Sequence, residues 1–168
     1  MLTWLIGDTH FMHKNIIAYC GRPSDYDVLV EEAWKNSVGP RDLIIHLGDV
    51  CIGKGSEIEN WHNKVFRYLP GDKLLVKGNH DHRPDKYFRE RGWNVVVKTF
   101  AMTLKGRRII FSHAPLDMKD YHMYDLNVHA HVHNFRPRGV EISDKHRLYC
   151  IEYENYKPVE LEVFIGRK

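Results

Sequence analysis

"LLVKGNHDH", residues 74–82, joins an apolar run to a cluster of Asn, His and Asp. Leu74 to Val76 read as a short strand and Gly78 as the turn that ends it. Asn79 and Asp81 suit a turn, because such side chains hydrogen-bond nearby backbone, and turn formation is the plainest account of the cluster taken alone. Whether it is the full account depends on how the other strands end. In open α/β sheets, ligands bind beyond the carboxyl ends of the strands.

Four further strand exits carry the same residue types: "LTWLIGDTH" (2–10), "LIIHLGDV" (43–50), "RIIFSH" (108–113) and "NVHAHVH" (127–133). Turn formation explains one such exit and does not explain imidazoles recurring at several. Together they offer Asp8, His10, Asp49, Asn79, His113, His131 and His133, oxygen and imidazole donors of the kind divalent transition metals accept. Seven exceed what one metal with open positions can use, and they suit two metals sharing a bridging carboxylate. The i, i+2 spacing of Asp8 with His10 and of His131 with His133 predicts two donors on one side of an extended segment.

The rest of the chain is that of a globular protein. Its 168 residues, 43% hydrophobic and 28% charged, predict a single α/β domain over 1–168 with a sizeable core. No apolar run approaches a spanning helix. "MLTWLIGD" lacks a basic leader region, which makes a reducing cytoplasm the expected compartment. Cys20, Cys51 and Cys150 form no C-x-x-C pair and read as buried small side chains. A net charge of +3 leaves room for an anionic ligand, but no basic stripe interleaved with aromatics marks stable nucleic-acid binding. The "KGRR" at 105–108 reads as a solvated hairpin turn.

Apolar spacing predicts helices over "MHKNIIAYC" and "DVLVEEAWKNSV", the latter stopped by Gly39-Pro40. A third is expected near Glu57 to Tyr68, capped by Ser56 with Glu59, and a short one near Pro84 to Arg91. The βαβα order argues for parallel strands. From Trp93 onward successive strands predict an antiparallel half, with "DLNVHAHVH" and "RLYCIEYE" as later strands and "VELEVFI" open between strand and helix.

The ordered series D-x-H, G-D, G-N-H-D, H and x-H-x-H, from Asp8 to His133, resembles the calcineurin-like metallophosphoesterase superfamily, and in particular its small bacterial or phage-type phosphoesterases. The resemblance implies a four-layer sandwich of two mixed β-sheets flanked by helices. It implies Asp8, His10 and His133 on one metal, Asn79, His113 and His131 on a second, and Asp49 bridging. It implies that catalytic His80 faces the scissile phosphate, with Asp81 orienting its ring. The implied reaction is hydrolysis of a phosphate ester, as a diester in the leading reading, by a water or hydroxide activated by two divalent ions (Mn, Fe, Zn, Ni or Co). A phosphomonoesterase or nucleotidase is the alternative, and a non-catalytic metal-binding scaffold a further one. A phosphate ester, nucleotides included, is the expected partner, with no membrane; the oligomeric state is left open.

Ala130 departs from the family pattern, where glycine precedes the His-x-His; Ala there would cost stability if the backbone needs positive φ. His129 reads as a core side chain or one lying behind the ligands. His13 and His82 could touch a substrate phosphate or sit solvated in loops; Arg22 and Arg83 could do the same as guanidinium forks, with a surface place the preferred reading. His46 and His62 read as core or surface. Met118, Tyr121, Met123 and Tyr124 could wall a base or aryl group, or pack in the core.

Overall fold

The computed structural model describes residues 1–135 and 142–167. Two mixed sheets with flanking helices share one apolar core, giving the expected α/β architecture. The first sheet runs β4 (Val95–Val97), β3 (Asp72–Val76), β2 (Leu43–His46), β1 (Thr3–Ile6), β9 (Val159–Glu160). Its first four strands are parallel; β9 is antiparallel to β1. Ile44 and Ile45 in β2 are both fully buried although they point to opposite faces, which explains an apolar run without alternation.

The second sheet runs β5 (Thr99–Leu104), β6 (Arg107–Ser112), β7 (Leu126–His129), β8 (His146–Leu148). Only β5 and β6 are antiparallel, around the Lys105-Gly106 turn; β6–β7 and β7–β8 are parallel. The expected antiparallel half is therefore corrected. Residues 113–125 are long enough to return the chain and start β7 beside β6 in the same direction, whereas a hairpin would reverse it. "RLYCIEYE" is strand only as far as Leu148, because the chain then enters turns that close with Glu154 N–H donating to Cys150 O. "VELEVFI" is both things: two residues of β9, then α5 (Leu161–Gly166).

The helices are α1 (Lys14–Cys20), α2 (Tyr26–Ser37), α3 (Gly55–Lys64) and α4 (Asp85–Arg89). The third begins before Ser56: Lys54 is its N-cap, and Glu57 reaches back to accept from Lys54 N–H at 2.8 Å. It stops at Lys64, and Phe66–Tyr68 form a separate 3₁₀ turn. No helix among the described residues is long and apolar enough to cross a membrane. The three cysteines are free and buried.

This topology puts the carboxyl ends of β1, β2 and β3 side by side, and those of β6 and β7 likewise. The core cluster holds residues of both sheets, so the two rows of strand exits belong to one packed body.

Candidate functional site

The loops leaving these strands continue to pair after the strands end. Asp8 N–H donates to Gly48 O at 3.0 Å, His10 N–H to Asp49 O at 2.9 Å and Phe11 N–H to Val50 O at 3.0 Å. To do so the backbone turns left-handed at Asp8 (φ 50), His10 (φ 47), Asp49 (φ 54), His131 (φ 69) and His133 (φ 48). Non-glycine residues seldom adopt this region, and such strain gathers at functional sites. The extended segments expected around the two i, i+2 pairs are thus corrected: β7 ends at His129, and both pairs lie on tightly turned loops. Ala130 keeps an ordinary φ and is buried against Gly7, where a Cβ added at Gly7 would lie 3.2 Å from its own Cβ.

Two glycines allow the loops to meet. A Cβ at Gly48 would fall 2.4 Å from Gly78 N, and one at Gly78 would fall 2.1 Å from Asp49 Oδ1. Gly78 therefore serves by close approach, letting the β3 exit lie on the β2 exit. Across that contact His80 N–H donates to Asp49 Oδ1 at 2.8 Å.

The side chains collect in two groups. Asp8, His10 and His133 offer donor atoms within 4.8 Å of one another, as do Asp49, His113 and His131. Asn79 joins the second: His113 Nε2 lies 2.9 Å from Asn79 Oδ1, 3.0 Å from His131 Nδ1 and 3.4 Å from Asp49 Oδ2. Asp49 Oδ2 also lies 3.6 Å from His10 Nε2, so this carboxylate faces both groups.

Asp8 Oδ1 and both ring nitrogens of His10 are buried without a hydrogen-bond partner among the described residues. Buried polar atoms nearly always have one, and a carboxylate oxygen with imidazole nitrogens is the donor chemistry of a cation site. Burial holds the His10 imidazole neutral, its pKa down to about 2, and lifts the Asp8 carboxyl to about 6. Burial also opposes protonation of His113, but the Asp49 bond and the charge of Asp8 outweigh it and raise the ring to about 9. Asp49 stays ionised below the usual carboxylate range, because its contact with His113 exceeds the cost of burial.

A supporting layer fixes the rings. Leu47 O accepts from His113 Nδ1 at 2.7 Å, which aims Nε2 at the other donors. His46 bonds Thr9 Oγ1 at 3.0 Å and accepts from Gly48 N–H at 3.1 Å. His46 is thus a core residue of the β1 and β2 exits. Arg22 is not a surface residue. It is buried, with Nη1 donating to Thr9 O at 2.9 Å, Nη2 to Asp8 O at 2.8 Å and an ion pair to Glu152 at 2.8 Å. A guanidinium presents several donors in one plane, and here it satisfies the strained carbonyls of the β1 exit.

Glu152 also lies 3.3 Å from His133 Nδ1, and Tyr26 O–H donates to His10 O at 2.5 Å. Neither residue carries a motif; each is found only through a partner distant in the chain. His129 is buried behind Ala130 and belongs to neither group.

The expected pairing of Asp81 with the His80 ring is corrected. Asp81 is buried and accepts backbone N–H groups from Asp49 (2.8 Å), Val50 (3.2 Å) and Gly78 (2.8 Å). No hydrogen bond joins it to the His80 ring among the described residues. Oδ2 accepts two of these backbone bonds and Oδ1 one. The His80 ring is exposed, 5.6 Å centroid to centroid from His10. His82 and Arg83 are exposed as well.

Two hollows lie near the groups, and of the expected donors Asn79 and His113 line the smaller one while none lines the larger. One of about 940 Å³ is lined by His13, whose ring lies 5.5 Å from that of His10. The other, about 510 Å³, is lined by Asn79, His82, His113, Pro115 and Leu116. Met118, Tyr121, Met123 and Tyr124 line neither: Met118 is buried and Met123 exposed.

The family model of calcineurin-like phosphoesterases matches residues 1–162. An uncharacterised protein of Methanocaldococcus jannaschii is 28% identical over 96% of this chain and 88% of its own length. A gene 66 protein of Mycobacterium phage D29 is 30% identical over 55% of this chain and 49% of its own. A crystal structure of a protein of unknown function from Aquifex aeolicus superposes with a TM-score of 0.77 at 25% identity, covering 98% of this chain and 97% of that one.

Proposed function

The chain belongs to the calcineurin-like phosphoesterase family, and from that premise we propose a dinuclear metal-dependent phosphodiesterase. Asp8, His10 and His133 would hold one divalent cation, Asn79, His113 and His131 a second, and Asp49 both. The observation that carries this reading is Asp49 Oδ2, 3.6 Å from His10 Nε2 and 3.4 Å from His113 Nε2. Such a pair of ions supplies Lewis acidity, lowering the pKa of a water and drawing charge from phosphoryl oxygens.

The chain's own residues do the rest. His80, exposed beside His10, would hold a proton at the leaving oxygen, work typically worth about 10² to 10⁴ in rate. Asp81 acts indirectly as a positioning residue, fixing the backbone that carries Asp49, Asn79 and His80. A phosphate seated between the groups would have a hollow toward His13 and another beyond His113. Room for an organic arm on each side favours a diester, since a monoester has one.

The test compares kcat/KM for bis-p-nitrophenyl phosphate and p-nitrophenyl phosphate in metal-reconstituted protein. Diester preference is expected. Monoester preference would make the protein a phosphatase or nucleotidase, and absence of turnover with two ions bound would make it a scaffold.

A further inference from the structure

The larger hollow has a chemistry of its own. Ile52, Trp61 and Val65 give it an apolar surface, and Lys14, Lys54 and Lys64 stand at its edge, all three exposed. None of these ammonium groups pairs with a carboxylate among the described residues. The two carboxylates lining the same hollow are engaged by backbone. Asp27 accepts from Met12 N–H at 3.1 and 3.3 Å, and Glu57 from Lys54 N–H at 2.8 Å. Three lysines against two carboxylates leave the lining net positive, and with its apolar residues this suits a ligand with an apolar part and negative charge.

His13 connects this hollow to the proposed centre. It lines the hollow, its ring lies 5.5 Å from that of His10, and its Nδ1 is buried without a hydrogen-bond partner among the described residues.

We propose that this hollow seats one arm of the substrate, and that the arm is a nucleoside bearing a second phosphate in addition to the scissile one. The assignment rests on the phosphoesterase reading above. The hollow, about 940 Å³ and open to solvent, has room for a nucleoside arm. The lysines supply attraction for the second phosphate that weakens with salt.

Three chromogenic diesters test this: bis-p-nitrophenyl phosphate, thymidine 5′-(p-nitrophenyl phosphate), and the latter with an added 3′-phosphate. For the wild type, kcat/KM should rise in that order. The Lys54→Glu/Lys64→Glu variant, checked for an unchanged melting temperature, should lose at least about ten-fold of the advantage of the 3′-phosphorylated substrate over bis-p-nitrophenyl phosphate. Calorimetric binding of thymidine 3′,5′-bisphosphate should weaken by a similar factor. Equal kcat/KM for the three substrates, or binding unaltered by the charge reversal, overturns the assignment. If the wild type hydrolyses none of them, the phosphoesterase reading fails, and the calorimetry still decides whether the hollow takes a nucleoside bisphosphate.

Discussion

His80 and Asn79 are adjacent in the chain, and the proposed function gives them different tasks, so their replacement should fail differently. Asn79→Ala removes an oxygen 2.9 Å from His113 Nε2 and should lower occupancy of the second ion. His80→Ala should keep both ions and the fold while lowering kcat by roughly 10² to 10⁴. Metal content, melting and turnover on both variants check this, and full turnover in His80→Ala would remove His80 from the mechanism. Asp81→Asn should be harsher than a ring-orienting role implies. An amide cannot accept Asp49, Val50 and Gly78 N–H groups with both arms, so a loss on the order of 1–3 kcal/mol in unfolding free energy is expected. Denaturant melts decide it; stability unchanged would mean that the clamp is dispensable. At this scale the ordered D-x-H, G-D, G-N-H-D, H and x-H-x-H series made the candidate donors legible, because each motif is local. Arg22 and Glu152 were not, since their contact spans 130 positions and neither lies in a recognisable pattern.

Among the elements, α3 carries an ionisable group where none is needed for charge. His62 is fully buried, donates Nδ1–H to Ile58 O at 2.9 Å and packs against Trp61, Phe66, Tyr87 and Phe88, its Nε2 without a hydrogen-bond partner among the described residues. Burial lowers its pKa to about 4; the Ile58 bond opposes this and the Arg91 charge adds to it. The unfolded chain, with His near 6.5, binds this proton first as pH falls. Stability is therefore intact above about pH 6.5 and is lost toward pH 4, by an amount on the order of 2–3 kcal/mol. His62→Leu should flatten that part of the curve. Unfolding free energies of both proteins from pH 7 to pH 4.5 measure the difference, and parallel curves would refute the assignment. Strand existence was legible from apolar runs bounded by turn residues, whereas strand direction was not. A parallel β7 and an antiparallel one have the same pattern, and only the length of the 113–125 connection separates them.

For the whole molecule, ions that bind only the folded state should stabilise it. At a free ion concentration about 100 times Kd the gain is about 2.7 kcal/mol per ion, so about 5.4 kcal/mol for two, which for a chain of this size corresponds to roughly 10–20 °C in Tm. Chelation should lower Tm by that amount and readdition restore it, with metal analysis approaching two ions per chain; a Tm indifferent to chelator, or a ratio near zero after reconstitution, counts against the centre. The α/β class and two-sheet plan were legible because βαβα order and the motif series point the same way. The hollows were not, as each is assembled from segments far apart in the chain. The left-handed backbone at Asp8, His10, Asp49, His131 and His133 bears on anyone who would transplant this centre. Copying the side chains onto regular strands of another scaffold would aim them wrongly, because the turned loops set their directions. A graft would have to carry the loops themselves, with Gly48, Gly78, Arg22 and Asp81, so the smallest portable unit is the packed set of strand exits.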